Sequence, residues 1–405
     1  MSQPGLTRNL TLPLVTLYGL GNILGAGIYV LVGEVARSAG DFTPLAFLLA
    51  AVIALLTALS FAELAARFPY SAGEARYIFE AFHMKRLSTL TGMLIIFTGI
   101  ISAATMSRGF LAYLGVFINL PDILVLMLLT GTLALIAAWG IKQSIYTAAV
   151  LTVIEIGGLL LIIGIGMTVT EPQPSPTFTD AAISNVSWLG VFGGAFLAFY
   201  AFIGFEDMVN VAEEIKRPET TLPLAIFLAL GGATVLYVMV AVAALQVLPA
   251  GELGAASAPL AEVFTTATGR SPIVITAISL LAVINGALVQ IIMASRVLYG
   301  MAQQDLVWRR FGHIDHRSHT PVLATVVVSS VILLAALWLP LATLATITGY
   351  LLLLLFCLIN LALVRIKLNA TTAPAGFCVP LFVPFIAGLA SLGFVAIQSF
   401  ILLTK

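Results

Sequence analysis

Asn22-Ile23-Leu24-Gly25-Ala26-Gly27-Ile28 interrupts the first apolar span of the chain, and Ala201-Phe202-Ile203-Gly204-Phe205-Glu206-Asp207 interrupts another, five spans later. Such breaks are unusual because hydrocarbon holds no water to satisfy freed backbone groups. Non-helical backbone survives at membrane depth only where it is buried or lines a cavity. Breaks at corresponding positions in two halves of a chain imply an inverted repeat, with a solute site between the broken helices near the midplane. That is the plan of a solute carrier.

The composition agrees. The 405 residues are 60% hydrophobic and 9% charged, where a soluble domain would carry roughly 25% charged residues. Apolar runs long enough to cross hydrocarbon, about 20 residues each, fall near 12–36, 43–66, 87–117, 122–139, 143–169, 187–214, 221–248, 271–301, 321–338, 340–365 and 379–403, giving eleven spans. The long third and eighth are expected to tilt or to run on into the aqueous phase. Residues 1–170 read as a first five-helix repeat and 187–370 as a second. The Pro- and Thr-rich stretch 171–186 links them, and 371–405 adds one further helix. Pro249 to Arg270 reads as a loop with a small helix over Leu260 to Phe264.

Charge distribution orients the chain. Fourteen basic residues (Arg8, Arg67, Arg76, Lys85, Arg86, Lys142, Lys216, Arg217, Arg296, Arg309, Arg310, Arg317, Arg365, Lys367) fall on one side and four (Arg37, Arg108, Arg270, Lys405) on the other. The positive-inside rule then places the N-terminus inside the cytoplasmic membrane, and an odd number of spans places the C-terminus outside. Zero net charge and the lack of a basic aromatic patch argue against a nucleic-acid partner. The N-terminus lacks the pattern of a cleaved signal peptide, so the first span is expected to be retained. Cys357 and Cys378, in or beside apolar segments, read as packing residues rather than a disulfide or metal set.

The chemistry concentrates at the breaks. Gly25, Ala26 and Gly27 leave amides accessible, and the helix after Gly27 turns its positive N-terminal end toward the break, which suits a carboxylate. A close helix-packing notch would use the same small residues. Carbonyls of the second break suit an ammonium group, and Glu206 follows at a depth where charge costs roughly 2.5–3.5 kcal/mol. Asp207 is read either as a cap for the helix restarting there or as a substrate contact. Glu155, mid-span with no basic neighbour in sequence, must be protonated, paired across helices or hydrated. It is a candidate proton carrier, or else a neutral acid bonded to nearby backbone. Asn285 and Gln290, five residues apart, are expected to divide between substrate contact and helix bridging. Tyr200 and Phe202 are gate or core aromatics.

Other features read more plainly. His313, His316 and His319 lie in a charged loop rather than a closed ligand shell, so no metal site is expected. Glu63 with Arg67 reads as an i,i+4 pair at the internal, solvated end of span two, and Glu213-Glu214 with Lys216-Arg217 as a solvated helix end or an inner gate network. No phosphate-cradling loop, zinc-protease helix or serine elbow is present, so neither catalytic residues nor a cofactor are expected.

At Gly25-Ala26-Gly27-Ile28, Phe61-Ala62-Glu63-Leu64 through Phe68-Pro69, Ala72-Gly73-Glu74, Phe202-Ile203-Gly204-Phe205-Glu206 through Arg217-Pro218, and Ser295-Arg296 through Thr320-Pro321, the chain resembles the amino acid, polyamine and organocation transporter superfamily. The resemblance implies an all-α, LeuT-type 5+5 inverted repeat with one extra C-terminal helix. It also implies secondary transport of an amino acid or related amine, as symporter or antiporter, by alternating access. In that scheme the bundle of spans one, two, six and seven moves against the rest. The resemblance further implies that Ile23, Ala26 and Gly27 hold the substrate carboxylate and that Phe202, Ile203 and Gly204 hold its amine. Glu206 matches an acid implicated in proton sensing. Where relatives carry a span-five lysine in place of sodium, this chain has Glu155, so either protons or sodium are left as the coupling ion. Gln290 replaces the aromatic that closes an arginine-shaped pocket. Eleven spans rather than twelve argue against a dimer on the last two helices, and a monomer is expected. The alternative is a transport-like receptor or scaffold that binds an amine without moving it.

Overall fold

In the computed structural model, which describes residues 10–25, 27–69, 73–139, 144–168, 187–303, 306–315, 320–369 and 376–404, each of the eleven apolar spans is helical. The first span is two helices, α1 (Leu12–Leu24) and α2 (Gly27–Ala39), followed by α3 (Thr43–Arg67), α4 (Gly73–Phe82), α5 (Lys85–Leu114), α6 (Asp122–Trp139) and α7 (Ser144–Met167). The second half opens with α8 (Trp188–Tyr200) and a 3-10 segment (Glu206–Glu214). It continues through α9 (Pro218–Val247), the small helices α10 (Ala250–Ala255) and α11 (Pro259–Thr268), α12 (Ile273–Gln303), α13 (Val322–Trp338), α14 (Leu341–Asn369) and α15 (Phe382–Thr404). At 1.5 Å per residue, the 31 residues of α12 extend about 46 Å, well beyond a hydrocarbon layer of about 30 Å. The two small helices α10 and α11 stand where one was expected. The 171–186 linker lies outside the described residues, as do Arg8, Lys142, His316, Arg317, His319 and Lys405.

The surface is arranged for lipid. α6 turns Ile123, Leu124, Met127, Leu128, Leu135 and Ile136 outward, while polar groups face inward and pair. Ser60 of α3 donates to Asn360 Oδ1 of α14 (2.5 Å), and Asn360 Nδ2 donates to Thr57 Oγ1 (3.1 Å). Two sets of helices result. α3 packs on α9 and α8, α2 packs on α8, and α1 packs on α9, which makes a bundle of spans one, two, six and seven. α5 packs on α12 and α14, and α6 on α13, as the body against which that bundle lies.

Two expectations from sequence need correction. α4, between spans two and three, was not anticipated. Its Gly73, Glu74, Tyr77, Ile78 and Ala81 form one buried stripe that an i, i+4 search would have found. Glu63, expected at a solvated helix end, is 0% exposed. Its Oε1 accepts from Arg67 Nη2 (2.6 Å) and pairs with Lys367 Nζ of α14 (2.7 Å), and its Oε2 accepts from the Val379 backbone N–H (2.8 Å) just before α15. Cys378, read as a packing residue, is exposed, with its Sγ 3.6 Å from the same carboxylate. Lys216 and Arg217 are exposed, as a solvated end requires, and the Glu213 and Glu214 side chains lie outside the described set.

The Glu63 cluster ties the bundle helix α3 to α14 and to the start of α15. Removing its anion strands two mostly buried cations, which costs about 3–5 kcal/mol. Glu63→Ala should therefore lower the thermal unfolding midpoint in detergent by many degrees, and Glu63→Gln by less. An unchanged midpoint in E63A would contradict the arrangement.

Candidate substrate site at the paired helix breaks

The two breaks meet backbone to backbone. An added Cβ on Gly27, at the start of α2, would lie 2.5 Å from Ala201 Cα, and one on Gly204 would lie 2.7 Å from the Asn22 carbonyl carbon. Gly204 also has φ +120°, a conformation that side chains rarely adopt. Glycine is thus required twice, once on each broken helix, for the crossing to form at all. α1 ends at Gly25, whose N–H donates to Gly21 O (3.0 Å). Ala26 lies outside the described residues.

Past α8 the chain tightens rather than opening fully. Ala201, Phe202 and Ile203 each donate to the residue three back, to Ala198, Phe199 and Tyr200. The turn reverses at Gly204 and resumes as nine residues of 3-10 helix, not the α-helix expected after Asp207. A 3-10 run of that length is uncommon and leaves backbone less well paired than in an α-helix. Glu206 bends back so that its Oε2 accepts the Gly204 N–H (2.9 Å), satisfying a donor that the break sets free.

Each candidate side chain has a definite place. Asn285 Nδ2 donates to Glu155 Oε1 (3.3 Å), and Gln290 Nε2 donates to Asp207 Oδ2 (3.1 Å). Both amides of α12 therefore bridge to carboxylates on other elements, where one was expected to bridge and the other to line the site. Asp207 accepts this amide. Glu155 is buried in α7, and its Oε2 finds no partner among the described residues. Tyr29 of α2 donates to the Glu155 backbone carbonyl (2.6 Å), which fixes α7 beside the first break. Tyr200 donates to Ser102 O (3.0 Å) on α5 with the Ser102 hydroxyl also 3.0 Å away, so its ring is anchored. Phe202 packs edge-on against Tyr237 with centroids 5.1 Å apart, and Ile23 and Ile203 are buried beside it. Asn22 Nδ2, like Glu155 Oε2, is buried without a partner among the described residues. Two cavities, each about 500 Å³, lie at the far ends of α2 and α5, near Arg37, Asn119 and Trp338, away from the breaks.

The sequence reading overlooked two participants. Tyr237 of α9 touches both breaks. Glu74 of α4 is a buried carboxyl within electrostatic reach of Asp207 and Glu206. Burial pushes the Glu74 carboxyl up to about 8; its own backbone N–H opposes the rise and the Asp207 charge adds to it. Tyr77, three residues on, has a buried hydroxyl without a partner among the described residues.

Helices broken at matching positions, crossing through glycine inside a bundle that packs against a separate helical body, define a membrane carrier. The chain belongs to the amino acid permease family, whose sequence profile matches residues 10–404. It is a secondary transporter, not an enzyme. Among relatives it is 28% identical to the branched-chain amino acid permease BcaP of Bacillus subtilis, over 93% of this chain and 84% of that one. It is 29% identical to the vacuolar cationic amino acid transporter 2 of Arabidopsis thaliana, over 79% of this chain and only 54% of that longer protein. Its fold is shared with a solved Na+-coupled sialic acid symporter in a substrate-bound outward-open state, with a TM-score of 0.64 and 14% identity over 98% of this chain and 90% of that one.

The raised value at Glu74 has a sign that can be checked. The unfolded carboxyl loses its proton near 4.5 and the folded one near 8. Its contribution is therefore fully present below about pH 4.5 and is lost as pH rises through about 8, by an amount on the order of 5 kcal/mol. Thermal midpoints in detergent measured from pH 5 to 9 should fall less steeply for Glu74→Gln than for the wild type. Parallel curves for the two proteins would refute the assignment.

Proposed function

We propose that this transporter carries an amino acid across the cytoplasmic membrane by alternating access, with the N-terminus inside and residues 1–170 and 187–370 acting as inverted five-helix repeats. The substrate carboxylate binds at the N-terminal end of α2 around Gly25, Ala26 and Gly27. Its ammonium binds at the carbonyls of Phe202, Ile203 and Gly204. The observation that carries this reading is the glycine-dependent crossing of the two breaks, which brings a positive helix end and freed carbonyls to one place.

The side chain accepted is neutral and apolar. Ile23, Phe202 and Ile203 supply apolar surface, while Glu206, Asp207 and Glu155 each already hold a donor of the protein itself. The similarity to a branched-chain amino acid permease supports this reading. A cationic side chain is the second reading, supported by the open Glu155 Oε2 and by the similarity to a cationic amino acid transporter. Glu155 and Glu206 carry the coupling proton, because each is a buried carboxyl tied to an element that lines the breaks.

Purified protein in liposomes preloaded with leucine or arginine should show counterflow of the labelled amino acid, and an inward pH step should drive accumulation. Glu155→Gln and Glu206→Gln should keep counterflow while losing most pH-driven accumulation. Accumulation that survives both substitutions overturns the proton role. Ligand-induced thermal stabilisation without any counterflow would instead mark a binding protein that does not transport.

A further inference from the structure

Tyr237 lies in the middle of α9 with no exposed surface. Its hydroxyl is 2.6 Å from the Ile23 carbonyl oxygen and 2.8 Å from the Ala201 carbonyl oxygen. Ile23 is the last residue but one of α1, and Ala201 caps the end of α8. Both carbonyls stand where a helix stops, so each lacks the amide that a continuing helix would supply. One phenol from a third helix reaches both. Its ring is held by Phe47 of α3, with centroids 5.7 Å apart, and by Phe202 of the second break, at 5.1 Å.

This contact sets a distance. Two carbonyl oxygens repel each other unless a positive hydrogen lies between them, and a phenol has a single proton to offer. That proton draws both carbonyls toward one point, and the aromatic rings fix where the point is. The first carbonyl belongs to the break assigned to the substrate carboxylate, and the second to the break assigned to the ammonium. The spacing between the two recognition ends is therefore fixed through Tyr237.

Resting on the proposed amino acid site, we propose that Tyr237 is the positioning residue that makes the transporter select α-amino acids over isomers whose amine lies one carbon further from the carboxylate. An α-amino acid holds its two charged groups across one carbon, and a β-amino acid across two. A site of fixed spacing distinguishes such a one-carbon change by roughly 10–200-fold, whereas a site whose breaks drift apart does not. The contact is internal to the bundle, since α1 packs on α9 and α3 packs on both α8 and α9. It therefore persists while the bundle moves, as a specificity element must.

The test uses the full-length protein in proteoliposomes, with L-leucine and its β-amino isomer as probes, and L-arginine with its β-amino isomer if arginine is the better substrate. The wild type should transport the α form at least about tenfold more efficiently than the β form. Tyr237→Phe keeps the ring and loses the bond. It should raise KM for the α form about tenfold, as expected for one buried hydrogen bond, with Vmax kept within about a factor of two and the α-to-β ratio falling toward one. A fall in Vmax at unchanged KM and ratio would show a purely structural or conformational role and overturn the proposal. Unchanged kinetics would overturn it as well. If Y237F does not fold, the wild-type measurement still decides, since equal transport of the two isomers overturns the inference. Absence of counterflow for any amino acid in the wild type is a different outcome and overturns the underlying transport reading.

Discussion

The structure depends on a shortage of hydrogen-bond partners. Breaking a helix inside a membrane frees amides and carbonyls that lipid cannot satisfy, and each freed group must be met by the protein or by what its cavity holds. The solutions are specific. Tyr237 meets the Ile23 and Ala201 carbonyls, and Glu206 meets the Gly204 amide. Each partner has then to be held in turn. Tyr237 is wedged between Phe47 and Phe202, and Asp207, beside Glu206, is held by Gln290. The polar interior of α9, α12 and the 3-10 segment follows from two short interruptions in apolar sequence.

The interior bonds fall into two groups with different fates in an alternating-access cycle. Bonds within the bundle, such as Tyr237 to both breaks, can stay intact while the bundle moves as a body. Bonds from the bundle to the rest, such as Tyr200 to Ser102, Asp207 to Gln290, Ser60 to Asn360 and Glu63 to Lys367, must rearrange if the two parts shift. Most of the second group are single hydrogen bonds, each worth only about 1 kcal/mol net. The Glu63 cluster is the exception, with two cations and a backbone amide on one buried carboxylate. Among the described residues it joins α3 to α14 and to the start of α15 through more than one charged contact, unlike the single bonds near the breaks.

What the sequence made legible was whatever depends on local composition. Glycine in an apolar run signals a break, because no other residue tolerates the close crossing at Gly27 or the backbone angle at Gly204. The all-helical, multi-span fold followed from hydropathy and from the resemblance to known transporters. The misses share a different cause. Tyr237 reads as a core aromatic, and its partners are backbone carbonyls 214 and 36 residues away, which side-chain patterns do not encode. Glu63 reads as a surface i,i+4 pair with Arg67 because Lys367 and Val379, which bury it, lie more than 300 residues on. The 3-10 path after Gly204 was invisible because it follows from how Glu206 folds back and not from helix propensity.

That fold-back connects proposed coupling to proposed binding without a separate pathway. A carboxylate accepting a backbone amide makes a charge-assisted bond, roughly twice as strong as a neutral one. When Glu206 takes a proton, its hold on Gly204 weakens by about that difference, and Gly204 is the residue through which the second break leans on Asn22. In the proposed scheme the proton and the amino acid then act on the same few atoms of backbone: Tyr237 holds the spacing of the two breaks, while Glu206 changes how firmly the second break is closed. In that scheme selectivity and coupling are altered by different residues, Tyr237 and Glu206.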